Sequence, residues 1–442
     1  MRSLVFLIAQ VLAMCGGSFL LWRLALANVP SRFFWAVAWA ISVCMALAIF
    51  MFIQPGKLFD DFAPVYWEAG RAVMSGPDQL LPLLRLGVDG GFVNLPIVAY
   101  IFVPFALLSS ELAGWLFMAI GVAAIAYAWW LAGDLFGLSR PERGISLFVT
   151  ASFGPLWYSV REGNSSHFVL LTLLMAIAAL RNNQDFRAGL LLGISAIVKP
   201  PLLLLCVYAA IRLRWSIVLG AGLVLGVCAV ASVAVFGWNT NLVWYETNIG
   251  TFSREPIAAI NSHSIASTLA RLHHGVDVLG AWEPVAVPSA IKLVGLLATA
   301  ALGLVAIWAA APWQRWMVGV AAFEADFVLI VALVLFISTL TWTHYYSWLL
   351  IPAVWAWAQI RDADYPRDPM LALGGAILLS ALAYVQWRPL PGIDPLLPWL
   401  FSYLLVAGLV LFGILIWARR RIAGSTRQSQ RELGGSGHSG AA

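Results

Sequence analysis

Charge is what this sequence has least of. Only 11% of its 442 residues are Asp, Glu, Lys or Arg, less than half of the roughly 25% found in soluble domains. Water does not hold a surface so poor in charge, which excludes a soluble globular protein. The net charge of +5 comes from basic residues scattered between apolar runs, which excludes a nucleic-acid binder. The exception is Arg419, Arg420 and Arg421, which follow the last apolar run, where a cytoplasmic anchor is expected. Cysteine is scarce as well. Cys15, Cys44, Cys206 and Cys228 all lie inside apolar runs, with neither a disulfide framework nor a zinc spacing, and read as buried small hydrophobes. There is no ATP-binding loop, no long soluble domain and no internal repeat.

What the chain has is hydrophobicity, 62% of its residues. Apolar runs near the length that crosses a roughly 30 Å hydrocarbon core recur from end to end. The predicted spans are 4–22, 33–53, 112–132, 145–160, 165–180, 188–200, 201–213, 216–236, 285–309, 326–341, 346–359, 369–386 and 396–418. The expected fold is an all-α, polytopic transmembrane helix bundle of about 12–13 spans. Leu4–Trp22 lacks a convincing small-residue cleavage site and is soon followed by another apolar run, so it reads as a retained first span. The Lys199-Pro200-Pro201 break predicts a tight helix pair over 188–213 in place of one kinked helix. The stretch 95–108 has the length of an interfacial segment, not of a span.

Lysine and arginine favour cytoplasmic loops. One alternation places Arg23, Arg32, Arg140, Arg143, Arg181, Arg187, Arg212, Arg214, Arg315, Arg361 and Arg367 inside. Arg419, Arg420, Arg421, Arg427 and Arg431 of the tail join them. The alternation holds only if 95–108 does not cross. Two long loops, 54–111 and 237–284, then face outward. With them come short links around Arg161–His167, at Lys199, at Trp342–Tyr346 and at Gln386–Pro395. Loops that long are usually functional, whereas the inward links are short and basic. Residues 1–423 thus read as one domain of an inner, or plasma, membrane with its working face toward the periplasm or exterior. Residues 424–442, rich in Ser, Gly and Gln, read as a disordered cytoplasmic tail.

Several outward residues carry chemistry. Asp60-Asp61 follows a span and precedes Tyr66 and Trp67. A carboxylate there suits a general base facing a hydroxyl; a solvated cap among interfacial aromatics is the other reading. Glu162, Asn164 and His167 share one tight link. Lys199 ends an apolar run, and an ionisable group at membrane depth is a functional candidate, with snorkelling as the alternative. Asn261, His263 and Arg271 lie in the second long loop, and Trp342 and His344 in a link between two spans. Carboxylate, histidine and cationic groups on one side describe a site for hydroxyls and phosphate. The adjacent aspartates and the histidines lack metal-ligand spacing, so no metal and no other cofactor is expected.

These residues, taken as ordered blocks, resemble glycosyltransferase family 87, a branch of the multi-span GT-C superfamily. The blocks are Asp61–Arg71, Asn94–Leu108, Gly163-Asn164, Ala188–Pro200, Asn261–Ser264 with Arg271, and Trp342–Tyr346. Two departures are visible: Asn94-Leu95-Pro96 stands where the family often has Tyr-Pro-Pro, and the first span is additional. The resemblance implies an inverting transfer of a hexose, mannose in the α-mannosyltransferase members, from a polyprenyl-phosphate sugar. The acceptor would be a glycolipid or growing envelope glycan at the outer face of the membrane. Asp61 would be the general base, and Lys199, Arg271 and His344 would neutralise the departing phosphate. Tyr66, Trp67, Glu162, Asn164, Asn261, His263 and Trp342 would line the substrates. A lipid transporter or flippase is the alternative, although such proteins more often show repeats and mid-membrane charges.

Overall fold

The computed structural model describes residues 2–53, 58–87, 90–311, 319–383 and 396–435. The apolar runs fold as helices, because in lipid only a helix satisfies every backbone polar group within one segment. Helices α1 (Arg2–Leu26) and α2 (Ser31–Phe52) come first. The first long loop is built of short helices. A π-helical turn, Phe62–Trp67, leads into α3 (Glu68–Ser75) and α4 (Leu81–Leu86). A 3-10 helix, Pro96–Phe102, and α5 (Val103–Ala106) follow. These pieces share an aromatic core, in which Tyr66 stacks on Phe102 with ring centroids 4.7 Å apart. The 95–108 stretch is therefore two short helical pieces, far below the roughly 20 residues that span a bilayer.

The bundle continues with α6 (Ser110–Leu135), α7 (Arg140–Ala151) and α8 (Gly154–Glu162). The single span expected at 145–160 is in fact two helices, α7 and α8, broken at Ser152-Phe153. Pro155 sits in the first turn of α8, where its missing N–H costs nothing. Then come α9 (Ser166–Arg181), α10 (Asp185–Val198) and α11 (Leu203–Ile211). The last two are the pair that the Lys199-Pro200-Pro201 break predicts. α12 (Trp215–Trp244) packs along α10, where the backbones meet at Gly189 and Gly220 with no room for a side chain. It runs beyond its expected end through a non-helical Gly237, φ 75°.

The second long loop contains α13 (Thr251–Arg254) and α14 (Ile265–His274). The C-terminal part holds α15 (Ser289–Ala310), α16 (Val320–Ile337), α17 (Leu350–Arg361), α18 (Arg367–Ser380), α19 (Leu397–Leu400) and α20 (Tyr403–Gly435). α20 passes the Gly424 boundary drawn from composition. Extending an existing helix adds one hydrogen bond per residue without a new nucleus. Arg315 and the 386–395 link lie outside the described residues.

Among the described residues seven helices are long and apolar enough to cross a membrane, by length and composition: α1, α2, α6, α12, α15, α16 and α20. The other expected spans are helices of nine to sixteen residues, α7 to α11, α17 and α18. The protein is an all-α polytopic helix bundle. α16 is its centre, apolar and buried almost all round, while α1 and α15 are peripheral.

The bundle has two chemically different ends. At one, Arg214 pairs with Asp185 (2.6 Å) and Arg181 with Glu324 (2.5 Å). Beside them Arg419 (2.5 Å) and Arg212 (3.6 Å) flank Asp326, and Arg361 meets Glu142 (3.4 Å). α9, α10, α11 and α16 each have one terminus there. Their other termini, at Ser166, Val198, Leu203 and Ile337, reach the opposite end, where the two long loops fold.

Candidate active site

The site is assembled at that opposite end by three backbone devices. Phe59 N and Asp61 N donate to Arg161 O and Glu162 O, each at 2.9 Å, which zips the first loop onto the end of α8. Gly163 ends α8 in the left-handed region, φ 70°, and a Cβ there would collide with Phe62. The third device joins the second loop to the link before α17. Thr343 N donates to Asn261 O and His263 N to Thr341 O, both at 2.7 Å, around the Ser262–Trp342 bridge.

These devices bring Asp61, Asn164 and Lys199 together. Asn164 Nδ2 donates to Asp61 Oδ2 at 2.7 Å, and Lys199 Nζ donates to Asn164 Oδ1 at 3.3 Å. The amide cannot be turned round, because the Ser166 N–H also points at Oδ1 (3.0 Å) and a backbone N–H only donates. Carboxylate and ammonium thus meet through an amide. Lys199 lies between α10 and α11, with its Nζ 4.4 Å from the centroid of the Tyr345 ring. Tyr345 in turn stacks on Trp348, whose indole donates to Ser166 O at 3.0 Å.

Asp60, Asp61, Tyr66, Glu162, Asn164 and Lys199 line one part of a cleft of about 410 Å³. Tyr158, Asn261, Trp282, Trp342, His344 and Tyr345 line another part. That is an ordinary volume for a small-molecule site. Burial raises the Asp61 carboxyl above its usual range, with the Asn164 hydrogen bond and the Lys199 charge opposing it and the Asp60 charge adding to it. Burial lowers the Lys199 ammonium to about 7, against the pull of Asp61. His344 is held well below the ordinary histidine value by burial and then by the Lys199 charge. Its imidazole is therefore neutral at pH 7. It lies parallel to Tyr158 (centroids 6.1 Å, 15°), and neither ring nitrogen has a hydrogen-bond partner. Among the described residues no three His, Cys, Asp or Glu side chains form a metal-binding set.

Eight of the eleven residues picked from the sequence line this cleft: Asp61, Tyr66, Glu162, Asn164, Lys199, Asn261, Trp342 and His344. Three do not. Arg271 is fully buried and turned onto the backbone, donating to Ser262 O (2.5 Å), Ala259 O (3.0 Å) and Ser402 Oγ (3.0 Å). It holds the Asn261–Ser264 segment from behind. His263 is buried there too, with Nε2 3.0 Å from Thr343 Oγ1. The Trp67 indole donates to Leu108 O at 3.1 Å within the first loop. Sequence reasoning missed Tyr158, Trp282 and Tyr345, and did not separate Asp60 from Asp61 on physical grounds. Spacing carried a signal for Tyr345 alone, which adjoins His344.

No solved structure matches the chain at a significant level. An alpha-(1->3)-arabinofuranosyltransferase of Corynebacterium glutamicum is 26% identical over 206 residues, 44% of this chain and 48% of the relative. The chain thus spans about half the length of that protein. A polyprenol-phosphate-mannose-dependent alpha-(1-2)-phosphatidylinositol mannoside mannosyltransferase of Mycolicibacterium smegmatis is 24% identical over 386 residues, 78% of this chain and 83% of the relative. The glycosyltransferase family 87 profile matches residues 92–338. That match takes in Asn164, Lys199, Asn261 and Trp282, and leaves Asp61 and His344 on either side. Spanning more than half of the chain and the middle of its cleft, it makes this membrane glycosyltransferase a member of glycosyltransferase family 87.

Proposed function

We propose that the protein transfers mannose from a polyprenyl-phosphate sugar to a glycolipid or envelope glycan, inverting the anomeric centre. The observation that carries this reading is the Asp61–Asn164–Lys199 chain of contacts at the cleft. Asp61 Oδ1 takes the proton of the acceptor hydroxyl as its oxygen attacks the anomeric carbon. The bond from that carbon to the phosphate oxygen breaks on the opposite face, and its electron pair leaves with the polyprenyl phosphate. A singly charged diester becomes a more highly charged monoester, so a preorganised cation lowers the barrier. Lys199 is that cation. His344, neutral before substrate arrives, acts as a hydrogen-bond donor to the phosphate, whose charge raises its pKa and that of Lys199. Asn164 positions Asp61 and keeps the base from collapsing onto the lysine. Arg271 has no part in the leaving group in this scheme.

Mannose is supported by the relative with the longer coverage, whose name makes it dependent on a mannose donor. The same reading places the enzyme in the plasma membrane, with the cleft toward the periplasm or exterior and the C-terminus inside. The first and second long loops form a capping layer over one transmembrane domain, residues 1–423. The test is reconstitution of the purified protein in liposomes with labelled polyprenyl-phosphate mannose or polyprenyl-phosphate arabinofuranose, followed by extraction of acceptor lipids. Label should move from the mannose donor into a new glycolipid. Label that crosses the bilayer still attached to its polyprenyl phosphate would identify a flippase instead.

A further inference from the structure

The cleft carries a feature that the proton and phosphate chemistry leaves unused. Trp282 and Trp342 face each other across its wall, with ring centroids 6.0 Å apart and planes 30° from parallel. Trp282 is 40% exposed and lines the polar cleft from the loop that precedes α15. The chain is tied down on both sides of it: Ala281 N donates to Val278 O at 3.0 Å, and Val285 N to Pro256 O at 2.9 Å beside the Ile257–Pro284 bridge. Trp342 is fixed equally by the ladder to Ser262. Beside them Asn261 is buried, 4% exposed, and lines the same cleft. Its Nδ2 is spent on the Tyr158 hydroxyl (3.2 Å), but its Oδ1 has no hydrogen-bond partner.

Two indoles at a cleft wall next to a buried, unused acceptor match one kind of ligand. A sugar ring has a face of polarised C–H bonds, which an aromatic π-face attracts, and an edge of hydroxyl donors. A buried carbonyl oxygen left without a donor costs about 1–3 kcal/mol, a cost that a ligand hydroxyl removes. A lipid tail would satisfy the indoles and leave Asn261 Oδ1 orphaned; a phosphate would do neither.

The ring comes from the acceptor. Lys199 and His344, the groups suited to phosphate, are 6% and 5% exposed at the floor, and the donor sugar is joined directly to that phosphate. Trp282 is far more exposed, 40%, and so lies further from the buried end of the cleft where those two groups sit. We infer that Trp282, Trp342 and the Asn261 carbonyl form an acceptor subsite that stacks a sugar ring already present on the acceptor. The inference rests on the proposed transfer and deepens it, by naming the residues that hold the sugar already carried by its glycolipid or glycan acceptor.

Binding and turnover test it separately. The binding probe is methyl α-mannopyranoside, which has neither lipid nor phosphate, observed by saturation-transfer NMR with the full chain in detergent. Wild type should saturate the ring C–H protons, Trp282→Ala should abolish the effect and Trp282→Phe should retain most of it. In transfer assays Trp282→Ala should raise the acceptor KM about tenfold, the scale of one lost aromatic contact, with donor KM and kcat unchanged. No saturation in wild type, equal saturation in Trp282→Ala, or a rise in donor KM in place of acceptor KM overturns the subsite. Saturation that depends on Trp282 in a protein that transfers no mannose would sustain the subsite and sink the mannose-donor reading. Thermal melting of each variant shows whether it is folded, and the Phe variant keeps the test decisive if Ala is not.

Discussion

Asn164 Nδ2 donates to Asp61 Oδ2 at 2.7 Å, in a direction that the Ser166 N–H fixes from behind. A carboxylate held in this way has one oxygen occupied and the other directed at the cleft. Asn164→Ala removes a hydrogen bond that favours the ionised form, so the Asp61 pKa should rise further. The acid limb of kcat/KM should then move to higher pH. At the optimum, losing a hydrogen bond to a charged group corresponds to about a tenfold to hundredfold fall. A pH–rate profile of the purified variant measures both effects.

The two adjacent aspartates should separate cleanly. Asp61→Asn keeps an oxygen for Asn164 but removes the base, and transfer should fall about a hundredfold or more while donor binding survives. Asp60→Asn should keep most activity. It also takes away a like charge that raises the Asp61 pKa, so the acid limb should move to lower pH. If Asp60→Asn is inactive and Asp61→Asn is not, the base lies one residue earlier.

Lys199 sets the other limb. Burial lowers it to about 7, and only the protonated form serves a leaving phosphate. Activity of the free enzyme should therefore fall as pH rises through about 7. Because Asp61 and Lys199 interact, the two limbs belong to the pair. Lys199→Arg keeps its charge to far higher pH and should abolish the alkaline limb. Lys199→Ala should lose about a hundred- to a thousandfold below about pH 7, and the gap should narrow at higher pH as wild type loses its own charge. An unchanged alkaline limb in Lys199→Arg would assign it to another group.

Arg271 should behave as a structural residue. Arg271→Ala leaves the carbonyl of Ser262 buried without a donor, at a cost of about 1–3 kcal/mol, and leaves Ala259 O with the Ser262 N–H alone. Lysine cannot reproduce the fork of contacts. Both variants should melt at lower temperature in detergent, and molecules that remain folded should keep the wild-type donor KM. A large change in donor KM with no change in melting would return Arg271 to the phosphate.

Much of this was legible in the sequence because polar residues are rare and costly in such a chain. Asp61, Asn164, Lys199 and His344 stand out at the ends of apolar runs, and the positive-inside pattern gathers them on one side. The proline break at Lys199 marks the α10–α11 turn for the same reason. Aromatic residues give no such contrast. With 22 Trp, 11 Tyr and 24 Phe in the chain, nothing local separates Tyr158 or Trp282 from those that face lipid. The α7–α8 break at Ser152-Phe153 is marked in the sequence by Gly154-Pro155, but the run around it is long enough to read as one span. Arg271 shows the opposite failure. Its charge is visible in the sequence, but the carbonyls that turn toward it from 258–262 are not.

The pairing of α10 with α12 has a consequence for the membrane itself. Both helices start at the Asp185–Arg214 ion pair and run side by side. α10 ends after about 21 Å, while α12 reaches Phe236 after about 33 Å. Lys199 thus lies about 12 Å below the level to which its neighbour rises, and hydrocarbon is roughly 30 Å thick. The taller helix matches that thickness and the shorter one does not. In the proposed orientation a donor head would reach Lys199 from beside the bundle while its tail stays in lipid. Turnover should then respond to bilayer thickness through the depth at which α10 ends.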